Sequence, residues 1–238
     1  MKQTTTTAWA RQVCADAVKQ LGVGKYQILH PSWMYWLFDD FWEERCGMRH
    51  VGAHTEFAPL AMPNLPDGCE LPAKFVAVRF YERHTLPLNP GTVPMIQAMV
   101  QQIASHLPVV LLNQAKLFAD DHADLPIKGD NIFALPDIPP SQNFILQAAI
   151  LSRAQAFVGT YGGIAQWALR YKKPSLSFYT DFKGTAMAHR ALSQHLSAAS
   201  GVPFEVCDLK AFKLWQMAIP AFTEKIALGS SQMAEVGV

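Results

Sequence analysis

Ala156-Phe157-Val158-Gly159-Thr160-Tyr161-Gly162-Gly163-Ile164-Ala165-Gln166-Trp167-Ala168-Leu169 is the stretch from which the fold is read. Its apolar start, Ala156 to Val158, predicts a short buried strand. A tight turn through Gly159 follows, and a helix opens near Thr160 to Gly163. Consecutive glycines at the mouth of a helix let the backbone approach a ligand with no Cβ in the way. The N–H groups of that first turn, together with the helix dipole, favour an anion such as a phosphate. In an open parallel sheet a ligand sits just beyond the carboxyl ends of the strands, where this turn belongs. The stretch matches neither the dinucleotide fingerprint nor a P-loop. A plain packing corner is therefore the competing reading, and the flanking chain has to separate the two.

Outward from this turn the pattern is regular. Upstream, strands are expected at Phe75 to Phe80, Val109 to Leu112 and Ile132 to Leu135, with helices at Val93 to His106 and Asn143 to Arg153. Downstream come a strand from Ser175 to Phe178, a helix from about Thr185 to Ser197, a strand from Phe204 to Cys207 and a closing helix from Leu209 to Leu228. Short apolar strands alternating with amphipathic helices imply an α/β fold, a Rossmann-like doubly wound parallel sheet with helices on both faces. Six strands leave room for a switch-point crevice.

Towards the N-terminus the pattern thins. Apolar residues at Trp9, Val13, Ala17 and Leu21 predict a helix that Gly22 ends, and Tyr26 to Leu29 a short strand. Ser32 can cap a helix from Trp33 to Arg45, whose rings at Trp33, Tyr35, Trp36, Phe38, Phe41 and Trp42 point nearly all round. Such a helix packs on more than one side and is the expected contact for a second copy or a partner chain. Periodicity fails from Gly47 to Leu71, where Pro59, Pro63 and Pro66 with Gly68 mark a linker. The expected division is a partial N-terminal helix–strand–helix segment at 1–50, a linker at 51–72 and a Rossmann-like domain at 73–238. The first segment resembles the end of a domain, and a fragment or half of a split protein is the expectation.

The bulk numbers set bounds. Of 238 residues, 50% are hydrophobic and 16% charged, enough for a sizeable core and too apolar for disorder. A net charge of +1 gives no sign of nucleic-acid binding. The four cysteines, Cys14, Cys46, Cys69 and Cys207, form no CxxC pair and read as free thiols of a reducing cytosol. No apolar run approaches the roughly 18–20 residues of a membrane span, and a cytoplasmic location is expected.

Three stretches can carry chemistry. The loop Tyr81-Glu82-Arg83-His84-Thr85-Leu86-Pro87-Leu88-Asn89-Pro90-Gly91 is long for a strand-to-helix connection. It holds a base-capable His84, the carboxylate of Glu82 and Arg83, which can clamp a phosphate. The switch-point rule sets it across the crevice from Thr160 to Gly163. Arg79, inside a buried strand, needs a partner or an aim into the crevice. Asp120, Asp121, His122 and Asp124 match no metal-binding spacing, so no metal site is assigned. The turn Leu135 to Asn143 lies at another strand's carboxyl end, where its backbone can meet a nucleobase edge or simply lead into the next helix.

These residues resemble the C-terminal, donor-binding half of a glycosyltransferase of the GT-B architecture, which has two facing Rossmann-like domains. The resemblance spans roughly residues 70–228. It rests on the Phe75 to Phe80 strand, Asp120-Asp121-His122, the Asn143 to Arg153 helix and, above all, Phe157-Val158-Gly159-Thr160-Tyr161-Gly162-Gly163 with Lys173-Pro174-Ser175. It implies a nucleotide-sugar donor with its pyrophosphate near Thr160, Tyr161, Gly162 and Gly163. Arg83 or Arg79 would balance the charge, and the base would lie near Leu135 to Asp137. It also implies a metal-independent reaction with no cofactor beyond the donor, a glycan or similar acceptor, and His84 and Glu82 as candidate catalytic groups. The domain that usually supplies the base of inverting members is mostly absent, and the acidic signature of many retaining members is missing around Gly162. Two other readings stay open: a non-catalytic nucleotide- or partner-binding module, and a nucleotide-sugar epimerase or polysaccharide pyruvyl transferase.

Overall fold

The computed structural model describes residues 7–24, 37, 39–54, 60–112, 123–135, 140–181, 186–211, 219–220 and 226. By internal contacts the chain forms two compact units, Met1–Glu56 and Phe57–Val238.

In the first unit, helix α1 spans Ala8–Leu21. Thr7 caps it, its Oγ1 accepting the Ala10 N–H at 3.1 Å. At the other end Gly22 donates to Lys19 O and Val23 to Val18 O, closing a Schellman turn. No residue of α1 is buried. Residues 39–42 are helical, with Phe41 and Trp42 half-buried, while Trp33, Tyr35, Trp36 and Phe38 lie outside the described residues, as does the expected strand Tyr26 to Leu29. A short helix, α2, spans Met48–His54, where the sequence shows no periodicity. It buries only Val51, and a helix of two turns with one core contact leaves no stripe to read.

The second unit is built on one six-stranded parallel sheet: β1 (Val76–Arg79), β2 (Val109–Leu111), β3 (Ile132–Phe133), β4 (Ala156–Thr160), β5 (Ser175–Tyr179) and β6 (Phe204–Asp208). Its order is β3-β2-β1-β4-β5-β6, the Rossmann-like doubly wound order in which direction reverses between β1 and β4. Between the strands run helices α3 (Val93–Ala104), α4 (Pro140–Arg153), α5 (Gly163–Arg170) and α6 (Ala186–Ser200). Strand alternation sends Val76, Val78, Phe80 and Val158 to one core with Ile96, Val100 and Ile103 of α3. Phe75, Ala77, Phe157 and Tyr161 go to the other, with Leu146 and Ile150 of α4, Ala165 and Leu169 of α5 and Leu196 of α6. With both faces covered, the central strands read as unbroken apolar runs.

The proline-rich stretch lies on this unit: Leu60 N–H donates to Arg170 O at 3.3 Å, Arg153 donates to Pro63 O at 2.7 Å, and Leu65, Cys69 and Leu71 pack on the second core. Gly159, expected in the turn, belongs to β4 and pairs with Arg79. A Cβ at this position would overlap the Arg79 carbonyl, so this glycine serves strand packing. Of the expected closing helix, Leu209–Ala211 form a 3-10 turn and residues 219–220 and 226 are helical, the remainder lying outside the described residues.

Candidate functional site

The switch point, where a crevice is expected, lies at the carboxyl ends of β1 and β4, whose connections lead to helices on opposite faces of the sheet. Past the end of β1, Tyr81 N–H donates to Thr160 Oγ1 at 3.0 Å, and the same hydroxyl donates to Tyr81 O at 3.1 Å. Thr160 thus ties the two strand ends together and is fully buried. The Tyr81 phenol oxygen lies where a Cβ on Gly162 would stand. Gly162 is extended, with φ 175°, so space rather than backbone conformation demands glycine here. Around Gly163 nothing lies within 4 Å of an added Cβ. Helix α5 starts at Gly163, and Gly162 offers no capping side chain. Its first closed turn is Gln166 N–H to Gly162 O at 3.3 Å, so the earlier N–H groups have no intrahelical acceptor.

The loop after β1 is folded tightly. Glu82 N–H donates to Ala123 O at 2.8 Å, and Leu125 N–H to Phe80 O at 2.7 Å. Arg83 and Leu86 exchange backbone bonds of 3.2 and 3.0 Å, leaving His84-Thr85 as a two-residue hairpin tip. Thr85 O accepts the N–H groups of Thr180 at 2.7 Å and Asp181 at 3.2 Å, and the Thr180 hydroxyl at 3.3 Å. The hairpin is therefore fastened to the end of β5. Asn89 Oδ1 accepts the N–H groups of Gly91 at 2.9 Å and Thr92 at 3.1 Å, shaping the turn into α3.

Charge is distributed in two layers. The deeper one is Arg79, 4% exposed. Its Nε donates to Asp124 Oδ1 at 2.9 Å, and its terminal nitrogens reach Asp124 Oδ2 and Gln147 Oε1, each at 3.4 Å. Gln147 passes the chain on to Leu112 O at 3.1 Å and Asn143 Oδ1 at 3.0 Å. This buried cation is neutralised beneath the crevice. The upper layer is Arg83, whose guanidinium lies 6.0 Å from the Tyr81 ring centroid, with that of Arg79 at 5.1 Å. On α6, burial first and the Arg83 charge second hold His189 below its ordinary range. The next residue, Arg190, acts electrostatically on Tyr161 and Cys207. Burial pushes the Tyr161 phenol up to about 12, against the lowering effect of the nearby Ser193 and Gln166 side chains and the Arg190 charge. Arg83 stands over the Tyr81 ring, whose phenol oxygen reaches the Gly162 position, and its charge acts on His189, while Arg190 acts on Tyr161.

Of the expected site residues, Gly162, Gly163 and Arg83 come together here, with Arg79 beneath. Thr160 and Tyr161 are held inside, the latter edge-on to Phe204 at 6.2 Å between centroids. Leu135 packs on the second core, while Asp137, Asp120, Asp121 and His122 lie outside the described residues. Glu82 and His84 are exposed. His84 borders a separate cavity of about 460 Å³ with Asn89, Asp181 and Lys210, over Met95 and Leu209. Sequence reading passed over His189 and Arg190. Their signal was available: a helix entered from a parallel strand begins at the carboxyl edge, so basic residues in its first turns lie near the crevice.

No family model matches the chain, and no curated protein matches it. Among solved structures it is similar to one titled the crystal structure of the glycotransferase of kitacinnamycin, at 17% identity and a TM-score of 0.37. The likeness covers 92% of this chain and 61% of that one, so the chain spans less than two thirds of that protein. No helix among the described residues is long and apolar enough to cross a membrane.

Proposed function

We propose that the chain binds a nucleotide sugar and serves as the donor-binding half of a metal-independent glycosyltransferase, passing the sugar to a glycan or other acceptor. One observation carries this reading: an uncapped helix mouth at Gly162-Gly163 stands on the switch point of a doubly wound sheet, with Arg83 over the Tyr81 ring that reaches Gly162. A diphosphate seated at Gly162-Gly163 would meet the α5 N–H groups and two guanidinium groups, and these would stabilise the negative charge that grows on it as the sugar departs. The nucleobase would lie towards Leu135 to Asp137. Arg79 would act from below, holding Tyr81 and the floor of the crevice through Asp124. In this reading residues 73–238 are the donor domain, 51–72 join it to the partial segment 1–50, and the Trp33 to Trp42 helix meets a partner chain or a second copy.

The test is a thermal-shift and calorimetric panel of the whole chain against the nucleoside diphosphates and their common nucleotide sugars, with and without Mg²⁺. Saturable stabilisation by one base series, without Mg²⁺, is the expected outcome. At a ligand concentration of 100 Kd the gain is about 2.7 kcal/mol. It should vanish in Arg83→Gln and Arg190→Gln. Silence across the panel overturns the proposal.

A further inference from the structure

The hairpin tip stands between two sets of residues, Arg83 lying over the Tyr81 ring and His84 bordering a cavity. Arg83 acts on His189 of α6, a helix of the second core. The next residue, His84, borders the cavity whose apolar wall, Met95 and Leu209, belongs to the first core. Between them Thr85 O is held by three donors from Thr180 and Asp181, so the divider is fixed in place. We propose that this second cavity is a pocket for a neutral, hydroxyl-bearing molecule of monosaccharide type, which binds independently of anything seated on α5.

Size, charge and bonding capacity agree on that class. About 460 Å³ lies within the usual range of small-molecule sites. Asp181 and Lys210 bring opposite charges, so the lining carries no net charge that would draw in an anion or a cation. Asn89 has its amide oxygen engaged by Gly91 and Thr92, which leaves its N–H₂ as donor. His84 can donate and accept. Hydroxyl groups satisfy such a mixed set, and the C–H face of a sugar ring suits Met95 and Leu209. That the pocket takes the acceptor rests on the glycosyl-transfer reading; that it takes a hydroxyl-bearing molecule does not.

Saturation-transfer NMR on the whole chain with an equimolar mixture of glucose, galactose, mannose and N-acetylglucosamine tests this. At least one sugar should show enhancement that saturating pyrophosphate leaves unchanged. The enhancement should fall at least fivefold in Lys210→Glu, an exposed position that leaves the fold unloaded, and in the cavity-filling Met95→Trp. No enhancement for any sugar overturns the proposal, as does enhancement that survives both variants. Displacement by pyrophosphate overturns it too, since the sugar would then belong to the anion crevice. If the nucleotide panel is silent while the sugar signal stands, the pocket survives and only its acceptor role falls.

Discussion

The phenol oxygen of Tyr81 occupies the place where a side chain on Gly162 would begin, across the gap at which strand order reverses. Tyr81 is anchored at its backbone by Thr160 and buried as a side chain, so moving the ring aside displaces its neighbours. Gly162→Ala should therefore destabilise the fold by about 1–3 kcal/mol, the usual cost of overpacking. Tyr81→Phe removes the offending atom, and the next nearest, Cζ, lies at 3.4 Å. Urea denaturation of both single variants and the double variant should show Tyr81→Phe recovering most of the loss, a positive coupling. Additive losses would mean that the contact is not the cause.

Gly163 separates fold from binding. Its added Cβ enters open space, and replacing glycine by alanine where the backbone allows it stabilises by about 0.4–1 kcal/mol through the unfolded chain. Gly163→Ala should raise the urea midpoint slightly while weakening diphosphate binding in calorimetry, since the methyl group stands where the anion would approach. A variant that gains stability and keeps full affinity would place the anion elsewhere.

Asp124 is the counter-ion of a cation whose side chain is only 5% exposed. Asp124→Ala leaves Arg79 buried and unneutralised, a defect that costs about 3–5 kcal/mol in comparable pairs. Denaturant unfolding should register the loss, and the apolar double variant Arg79→Met/Asp124→Leu should recover a large part of it.

The pH dependence follows from His189. Its folded pKa is depressed, by burial first and Arg83 second, so the unfolded chain binds the proton more readily. Stability is then full above the ordinary value of about 6.5 and falls as pH drops through the lower folded value. Tm measured from pH 7.5 to 5 should decline, and less steeply in His189→Gln. Relief of the Arg83 field in Arg83→Gln should also flatten the decline. An identical slope in all three proteins would exclude His189 as its source.

Much of the sheet was readable because its central strands are buried on both faces. Val76 to Val78, Val109 to Leu111 and Phe157-Val158 are continuous apolar runs for that reason. The crevice was half readable. The glycines of 162–163 and the charge of Arg83 stand in the sequence, and Arg79 declared itself as a buried cation in need of a partner. What did not show was pairing across distance. Nothing near Gly159 says that the Arg79 carbonyl packs against it. Nothing near His84 says that residues 83–86 close into a hairpin, because the groups that fasten it are at 180–181. His189 and Arg190 were passed over as part of a helix, since only the sheet order brings that helix to the same edge.

The fastening of Thr85 by Thr180 joins residues 95 positions apart. Contacts so distant in the chain form only after the intervening segments have been ordered, because loop closure must come first. The pairing of β1 with β4 spans nearly as many residues but does not need β5, so the hairpin lacks its fastening until β5 docks. Only when β5 docks does Arg83 gain its fixed position and the cavity its floor. The hairpin side of the site is expected to mature only with β5, so ligand binding should not precede β5 docking in refolding.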